Sequence, residues 1–354
     1  MKVLIAPDSF KGTISNFKCA QAIAEGWLSL RNQDTVSCLP MADGGEGTLE
    51  TIALKYPSAI RIPTKVSGNA FWLLLSDGTA IVELAIICGL TEHSTLDPLQ
   101  ASTFDLGLVL KEVIAHPEVV KILLALGGSA STDGGAGALM ALGARLTNSS
   151  GNSIGLGGVG LTELDAIDLT QMPSAPTGGV TCLTDVTNLL LGDTGSARVF
   201  SPQKGASEAQ IGQLENGLRR LQEISGREDF AGAGAAGGTA FGLSLAWDIK
   251  IESGSQAVAT IIGLESAIAE SDLIITGEGK LDSQSYSGKV LGAVTQLAQR
   301  AGKQVLYCVG SSELPLNSQI ISLVDIAPSL QAAMEQPEEW LVRAGAELAR
   351  RQKD

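Results

Sequence analysis

Hydrophobic runs and helical repeats alternate at the start of the chain. Residues 2–9, KVLIAPDS, form an aliphatic run that ends in polar residues, which is typical of a buried parallel strand. Apolar residues then recur at helical spacing from Phe17 to Leu30, behind Ser15, a residue type that begins helices. A second strand-like run, TVSCLPM, follows at 35–41. This order predicts a β-α-β unit.

The same alternation returns near the end of the chain. DLIITGEGK (272–280) is typical of a strand that ends in a glycine turn. A helical pattern that stops at Gly302 follows it, and then the strand-like run QVLYCVG at 304–310. We therefore predict that residues 265–354 rejoin the sheet of residues 1–62 in one discontinuous α/β domain with a parallel sheet.

The middle of the chain has a different texture. After Pro63, residues 69–85 contain two apolar runs joined by Ser-Asp-Gly, a pattern that predicts a β-hairpin. We expect a second, inserted α/β domain over residues 63–264. Its further predicted elements are strands at 121–128 and 179–187 and a helix from Ser207 to a stop at Gly226.

Glycine-rich stretches follow several predicted strands. They read ADGGEGT (42–48), GGSASTDGGAGA (127–138) and TGEGK (276–280), and a fourth, GAGAAGGTAFG (232–242), follows the long predicted helix. Runs this rich in glycine indicate backbone that bends sharply or approaches a ligand closely. Because ligands of parallel sheets bind beyond the carboxyl ends of the strands, a small anion is a candidate ligand for these loops.

Composition excludes several classes of protein. The 354 residues are 44% hydrophobic, enough for two cores, and the net charge of −14 argues against nucleic-acid and membrane partners. The five cysteines are scattered without a CxxC pair, so no disulfide framework or zinc cluster is predicted and we expect a cytoplasmic protein. Neither the first ten residues nor the apolar run at 79–90 fits a signal peptide or a membrane span.

Charged residues share the loops with the glycines. The acidic ones are Asp8, Asp43, Asp133, Asp185 and Glu278, and the basic ones are Lys11, Lys204, Lys280 and Lys289. Taken singly, each is more often a helix cap or a solvated charge. Several converging carboxylates, however, require a cation, of which Mg²⁺ is the simplest. Carboxylates that hold a metal ion, lysines and backbone N–H groups are together the groups that phosphoryl transfer requires.

Other functions stay open at this point. Two GxGxxG matches, at 155–160 and 232–237, would suit an NAD-dependent dehydrogenase of a small hydroxy acid, although neither follows a predicted strand. A non-catalytic protein that binds a small acid is a third candidate. No P-loop sequence occurs. His93 and His116 are predicted to lie at the surface, so we expect any general base to be a carboxylate.

Seven blocks of the sequence resemble the bacterial glycerate kinase family. They are IAPDSFKGT (5–13), MADGGEGT (41–48), LGGSASTDGGAGALMALGA (126–144), TDVTNLLLG (184–192), VFSPQKGAS (199–207), GAGAAGGTAFGL (232–243) and ITGEGKLDSQSYSGK (275–289). The resemblance is nearly full-length. It implies a Rossmann-like (flavodoxin-like) parallel-sheet domain, an inserted α/β domain, and an active site in the cleft between the two. It also implies phosphorylation of D-glycerate to 2-phosphoglycerate with ATP and Mg²⁺.

The resemblance and the loop chemistry together predict the site residues. The catalytic residues are expected to be Asp8, Lys11, Asp43, Asp185 and Lys204, with one of the three aspartates as the base. The metal ligands are expected to be Asp185 and Glu278. Nucleotide phosphates are expected at Gly127, Gly128, Ser129, Gly134, Gly135, Thr276, Gly277, Glu278 and Gly279. The substrate is expected at Ser9, Gly44, Gly45, Asn188, Asp282 and Lys289.

The sequence also departs from the family pattern. Thr132 stands where Asn is usual, Leu189 where Pro is usual, and Ser201 where Gly is usual. The segment VSGNAFW at 66–72 is shorter than in relatives. No oligomeric state is predicted.

Overall fold

The computed structural model describes residues 1–66, 69–92, 95–283, 285–286 and 289–352. Along these residues the strands are β1 (Lys2–Ile5), β2 (Thr35–Cys38), β3 (Ile60–Pro63), β4 (Phe71–Leu74), β5 (Thr79–Glu83), β6 (Lys121–Ala125), β7 (Arg145–Thr147), β8 (Ala166–Asp168), β9 (Val180–Leu183), β10 (Lys250–Glu252), β11 (Leu273–Thr276), β12 (Lys280–Leu281), β13 (Gln304–Val309), β14 (Ser311–Ser312) and β15 (Ile320–Ser322).

The α-helices of the same residues are α1 (Asn16–Leu30), α2 (Thr48–Lys55), α3 (Ala85–Cys88), α4 (Phe104–Ala115), α5 (Ala136–Leu142), α6 (Ser196–Phe200), α7 (Glu208–Ser225), α8 (Ala235–Ala246), α9 (Gly254–Ile262), α10 (Leu264–Ala269), α11 (Val290–Arg300), α12 (Leu323–Ile326), α13 (Leu330–Glu335) and α14 (Pro337–Arg351). Short 3₁₀ helices span Leu90–Glu92, Gly160–Glu163 and Pro202–Lys204. None of the described helices is long and apolar enough to cross a membrane.

The chain divides into two compact units. The first unit contains Met1–Lys55 and Ser253–Asp354, and the second contains Tyr56–Glu252. The first stretch of the first unit ends at Lys55, before the boundary predicted at residue 62, and the second unit ends at Glu252, before the boundary predicted at residue 264. That the units are separate folding domains, and that the active site lies in a cleft between domains, stay predictions.

The first unit is built on a five-stranded parallel sheet in the order β15-β13-β11-β1-β2. When only the five strands of this sheet are numbered along the chain, this is the 2-1-3-4-5 order of flavodoxin-like folds. The C-terminal strands therefore rejoin the N-terminal sheet, which confirms that prediction. The strand order reverses between β1 and β11, because β2 is added on one side of β1 and the later strands β11, β13 and β15 are added on the other side.

Helix α1 shows how local sequence builds one face of this sheet. The Ser15 hydroxyl accepts the Lys18 N–H at 3.4 Å and caps the helix, as predicted. The buried face of α1 includes Trp27 and packs against α14. Gly26 is required there, because a Cβ would lie 1.9 Å from the Val342 carbonyl oxygen of α14. Helices α9, α10 and α11 supply the core on the opposite face of the sheet.

The second unit holds a six-stranded mixed sheet in the order β10-β9-β6-β5-β4-β3. Strands β4 and β5 form the predicted antiparallel hairpin, with Gly78 at φ 80° in its turn. Strands β5, β6, β9 and β10 are parallel.

The long helix of the second unit also confirms its sequence signals. It begins behind Ser207, whose N–H donates to Gln210 Oε1 at 2.9 Å, and it stops at Gly226 with φ 64°. Together, the sheets and helices of the two units confirm the predicted α/β class with parallel strands.

Candidate active site

A cavity of about 440 Å³ lies within the first unit, at the carboxyl ends of β1 and β11. Asp8 follows β1 and Glu278 follows β11, and both side chains line the cavity. These are the two strands between which the strand order reverses, which is where open α/β sheets bind ligands. Predicted residues that also line this cavity are Ser9, Lys11, Asp43, Gly279, Asp282 and Lys289.

The two strand ends are fastened to each other by backbone contacts. The Asp8 N–H donates to the Gly277 carbonyl at 2.8 Å, and the Thr276 hydroxyl donates to the Ala6 carbonyl at 2.8 Å. Gly277 cannot carry a side chain, because a Cβ would lie 1.8 Å from the Cys308 carbonyl oxygen. Thr276 and Gly277 therefore hold Asp8 in place, and their predicted contact with phosphate stays a prediction.

The carboxylates at this edge are crowded and short of partners. Asp8 is only 6% exposed, and burial together with the negative charge of Asp43 raises the pKa of Asp8 well above its ordinary value. Burial also raises the pKa of Glu278. Within the described residues, Asp43 Oδ1, Glu278 Oε1 and Ser9 Oγ are buried without a hydrogen-bond partner. Because such atoms are costly to bury, this group is suited to a ligand that supplies the missing contacts.

Two lysines face these carboxylates. Lys11 Nζ lies 2.7 Å from Asp43 Oδ2. Partial desolvation opposes the charge of Lys11, but the carboxylates of Asp43 and Asp8 outweigh it and raise the pKa of Lys11. Lys289 lines the cavity and favours the charged form of Glu278. The site therefore offers cations and carboxylates side by side.

Close contacts with the starts of helices α2 and α9 fix the loop that carries Asp43. Gly44 has φ 81°, and the Gly45 carbonyl accepts the hydroxyl of Thr48 at 2.7 Å, where α2 begins. Gly254, at the start of α9, approaches so closely that a Cβ would lie 2.1 Å from the Asp43 carbonyl oxygen. Gly44 and Gly45 thus shape the turn, and substrate contact by them stays a prediction.

The residues of the cavity fit Mg²⁺ as an ion shared with a ligand. No group of three or more His, Cys, Asp or Glu side chains in the described part of the chain is arranged to hold a metal alone. Mg²⁺ typically takes one or two protein carboxylates and completes its shell with water and phosphate oxygens. The unpartnered oxygens of Asp43 and Glu278 match that requirement.

The second unit contains a buried lysine beside a smaller cavity of about 200 Å³. Lys204 is 2% exposed, and its Nζ donates to Ser129 Oγ at 2.9 Å and to the Ser131 carbonyl at 2.5 Å. Burial lowers the pKa of Lys204 to about 8, although the charge of Asp133 opposes this. Lys204 therefore carries a titratable positive charge at the wall of this cavity.

Asp133 has a structural role. It is fully buried, and its carboxylate accepts the Thr103 N–H at 2.8 Å, the Thr103 hydroxyl at 2.8 Å, the Gly135 N–H at 3.1 Å and the Gly137 N–H at 3.2 Å. The Gly134 N–H donates to the Gly237 carbonyl at 2.9 Å. The N–H groups of Gly134 and Gly135 are thus already bonded within the unit, so phosphate binding by them stays a prediction.

Other predicted residues of the second unit lie near strand ends. Gly127 and Gly128 follow β6 and are half-buried, and Gly128 has φ 81°. Asp185 follows β9 and is half-buried. Asn188 Nδ2 donates to the Thr194 carbonyl at 2.7 Å. Their ligand contacts, and the metal pair of Asp185 with Glu278, stay predictions.

Comparison with known proteins identifies the family. A profile described as the glycerate kinase family matches residues 3–353. The chain belongs to the glycerate kinase family. It is 38% identical to glycerate 2-kinase of Escherichia coli K12, over 88% of this chain and 85% of that protein, and 33% identical to glycerate kinase of Bacillus subtilis 168, over 99% and 97%. A crystal structure assigned as glycerate kinase 2 of Salmonella typhimurium LT2 matches with a TM-score of 0.75 and 33% identity, over 99% and 97%.

Membership of the glycerate kinase family confirms the predicted family and enzyme class: the chain is a kinase that phosphorylates an alcohol group of a small molecule. The two GxGxxG matches have a structural explanation in this kinase. A Cβ at Gly157 would lie 2.3 Å from the Leu99 carbonyl oxygen, and one at Gly237 would lie 2.0 Å from that of Ser131. These glycines are needed for close backbone packing, which requires no dinucleotide.

Of the two histidines, His116 lies within the part of the chain that the structure describes. His93 lies outside the described residues. His116 is half-buried, and its ring contacts Trp72 edge-on at 5.4 Å between centroids. His116 is thus less exposed than the surface position predicted for it.

One wall of the larger cavity was missed by sequence reasoning. It is apolar and consists of Leu323, Val324, Leu330, Ala333 and Met334, from α12 and α13. The sequence signal was weak: Leu330 and Met334 lie four apart in a six-residue helix, a spacing that core-facing helices share.

Proposed function

We propose that this chain transfers the γ-phosphoryl group of ATP to the 2-hydroxyl of D-glycerate, giving 2-phosphoglycerate, with Mg²⁺ as the metal. The observation that carries the proposal is the group of two buried carboxylates, Asp8 and Glu278, and half-buried Asp43, beside Lys11 at the strand-order reversal. Phosphoryl transfer depends on positioning and on stabilising negative charge, and this group supplies both. Glycerate is the substrate class named by the relatives.

Asp8 is the proposed general base. A base must accept the proton of the attacking hydroxyl, and a carboxylate accepts it better when its pKa is raised toward the working pH. Burial and Asp43 raise the pKa of Asp8. Its Oδ1 accepts the Ser9 N–H at 2.7 Å, which fixes the orientation of the carboxylate. Sequence reasoning left Asp8, Asp43 and Asp185 open for this role, and these contacts favour Asp8.

Lys11 and Lys289 are the proposed phosphate contacts of the first unit. Lys11 is held by Asp43 at 2.7 Å and is 59% exposed, so its ammonium group can donate to an incoming anion as well. Asp43 Oδ1 and Glu278 Oε1 would hold Mg²⁺, which would neutralise charge on the phosphates when bound. The carboxylates would then no longer be buried without partners.

Lys204 is proposed to contact an anionic group of a substrate, either a phosphate or the glycerate carboxylate. Its charge is available only when the amine is protonated. Because burial lowers its pKa to about 8, this contact should weaken as the pH rises through that value.

The test is a reaction of the purified chain with D-glycerate, ATP and Mg²⁺, followed by ADP release and by phosphorus NMR of the product. We expect ADP and 2-phosphoglycerate in equal amounts, no product with L-glycerate, and no turnover after chelation of Mg²⁺. Formation of 3-phosphoglycerate would overturn the choice of hydroxyl. Binding of glycerate without ADP release would instead support a non-catalytic acid-binding protein, and glycerate-dependent reduction of NAD would support a dehydrogenase.

A further inference from the structure

The cavity of about 440 Å³ that holds Asp8 and Glu278 has two unlike ends. One end carries the carboxylates and lysines described above, and the other is formed by Val324, Leu330 and Met334. Leu330 is 60% exposed and Met334 is 57% exposed, which makes them the two most exposed large hydrophobic side chains of the described residues. Paired exposed apolar side chains beside a polar site are typical of a ligand-binding surface.

Hydrogen bonds fix helix α13, which carries most of the apolar end. Helix α13 is capped by Ser329, whose Oγ accepts the Ala332 N–H at 3.1 Å, and the Trp340 indole N–H donates to the Ala332 carbonyl at 3.2 Å. Ala333 is buried. Since the helix is anchored, Leu330 and Met334, one helical turn apart, present a preformed surface to a ligand.

The two ends are joined by backbone. Gly310 and Ser311, which follow β13, also line the cavity. The Gly310 N–H donates to the Glu278 carbonyl at 3.0 Å, and the Val324 N–H donates to the Gly310 carbonyl at 3.1 Å. A Cβ at Gly310 would lie 2.3 Å from the Gly279 carbonyl oxygen, so the glycine keeps this connection close-packed. One rigid segment thus links the charged end to the apolar end.

We propose that the apolar end, Val324, Leu330 and Met334, binds the purine base of the nucleotide whose phosphates lie at the charged end. This inference rests on the proposed function. Of the two substrates, only ATP joins a flat ring with apolar faces to a polyanion, whereas glycerate is small and polar throughout. A volume of about 440 Å³ lies within the roughly 300–1,000 Å³ usual for small-molecule sites. The nucleotide is therefore assigned to the first unit.

The test compares ligands with and without a base. The variants are Leu330→Ser, Met334→Ser and the double variant, and the control is Leu30→Ser, at a 51% exposed leucine of α1 outside the cavity. Calorimetry measures binding of ADP and of inorganic tripolyphosphate, and steady-state kinetics measure KM for ATP and for D-glycerate. We expect the double variant to weaken ADP binding and to raise KM for ATP, each about tenfold. A tenfold change corresponds to a loss of about 1.4 kcal/mol of binding free energy. Tripolyphosphate binding and KM for glycerate should stay unchanged, as should every value in Leu30→Ser.

Three results would overturn the inference. Equal weakening of ADP and tripolyphosphate would show that the substitutions disturb the phosphate end. A rise of KM for glycerate alone would place the other substrate there. Unchanged ADP binding would show that the apolar end serves some other partner. Because ADP binding needs no turnover, these results are distinguishable from a failure of the proposed reaction, which would appear as absence of 2-phosphoglycerate with the unaltered chain.

Discussion

Replacing Lys204 by Met tests whether this buried lysine titrates near neutral pH. The side chain is 2% exposed and donates to Ser129 Oγ and the Ser131 carbonyl. Methionine has a similar length and carries no charge. The substitution therefore removes the titration and leaves most of the packing volume in place.

The magnitude follows from the two pKa values of this lysine. In the folded chain the pKa of Lys204 is about 8, against an ordinary value of 10.5 for an exposed lysine. Between these values the unfolded chain binds the proton and the folded chain does not, so the free energy of unfolding of the unaltered protein rises with pH. Over the whole window the gain is about 3 kcal/mol, from about 1.4 kcal/mol per pKa unit.

The assay is urea unfolding of the unaltered protein and of Lys204→Met at a series of pH values from about 7 to about 10.5. Taking the difference between the two cancels the titration of all other groups. We expect this difference to shift by about 3 kcal/mol in favour of the unaltered protein as the pH rises. The same exchange at Lys111, which is exposed on α4 of the same unit, gives the background for a lysine-to-methionine change. A difference that stays constant with pH would refute the reasoning.

Three further substitutions test other parts of the account. In Glu278→Gln the side chain is permanently neutral. Burial raises the pKa of Glu278, so the unaltered protein loses stability as the pH rises from the ordinary glutamate pKa to the raised one. The variant avoids this loss and should melt higher at neutral pH, while kcat falls. Gly277→Ala should destabilise the first unit by about 3 kcal/mol in urea unfolding, because its Cβ would lie 1.8 Å from the Cys308 carbonyl oxygen; unaltered stability would show that the strand ends can move apart. Asp185→Asn removes a carboxylate predicted to hold Mg²⁺ and should lower kcat roughly 100-fold or more with unchanged circular dichroism; near-normal turnover would remove Asp185 from the site.

The charged end of the larger cavity was predictable because it depends on topology. A parallel strand delivers its following residues to one edge of the sheet, so Asp8 and Glu278 had to meet there once β1 and β11 were neighbours. The helix boundaries at Ser15 and Gly226 were predictable from local capping chemistry alone.

Other features depend on contacts that no local pattern records. Asp133 looked like a further loop carboxylate, but it turns inward and binds the N–H and hydroxyl groups of Thr103, thirty positions earlier in the chain. Leu330 and Met334 follow an ordinary amphipathic spacing, and only the tertiary fold shows that they face a cavity. Thr132 and Ser201, both departures from the family pattern, meet through their hydroxyl groups at 3.2 Å, a contact that sequence alone does not reveal.

The central claim is that the buried carboxylates of the first unit carry out phosphoryl transfer to glycerate, and kcat of Asp8→Asn tests it most directly. Asparagine keeps the shape of the side chain and its contact with the Ser9 N–H, but it cannot accept the hydroxyl proton. With D-glycerate, ATP and Mg²⁺, we expect kcat to fall by about 10²–10⁴-fold, the usual contribution of a general base, while both KM values change little. A kcat within about threefold of that of the unaltered protein, in a folded variant, would contradict the account.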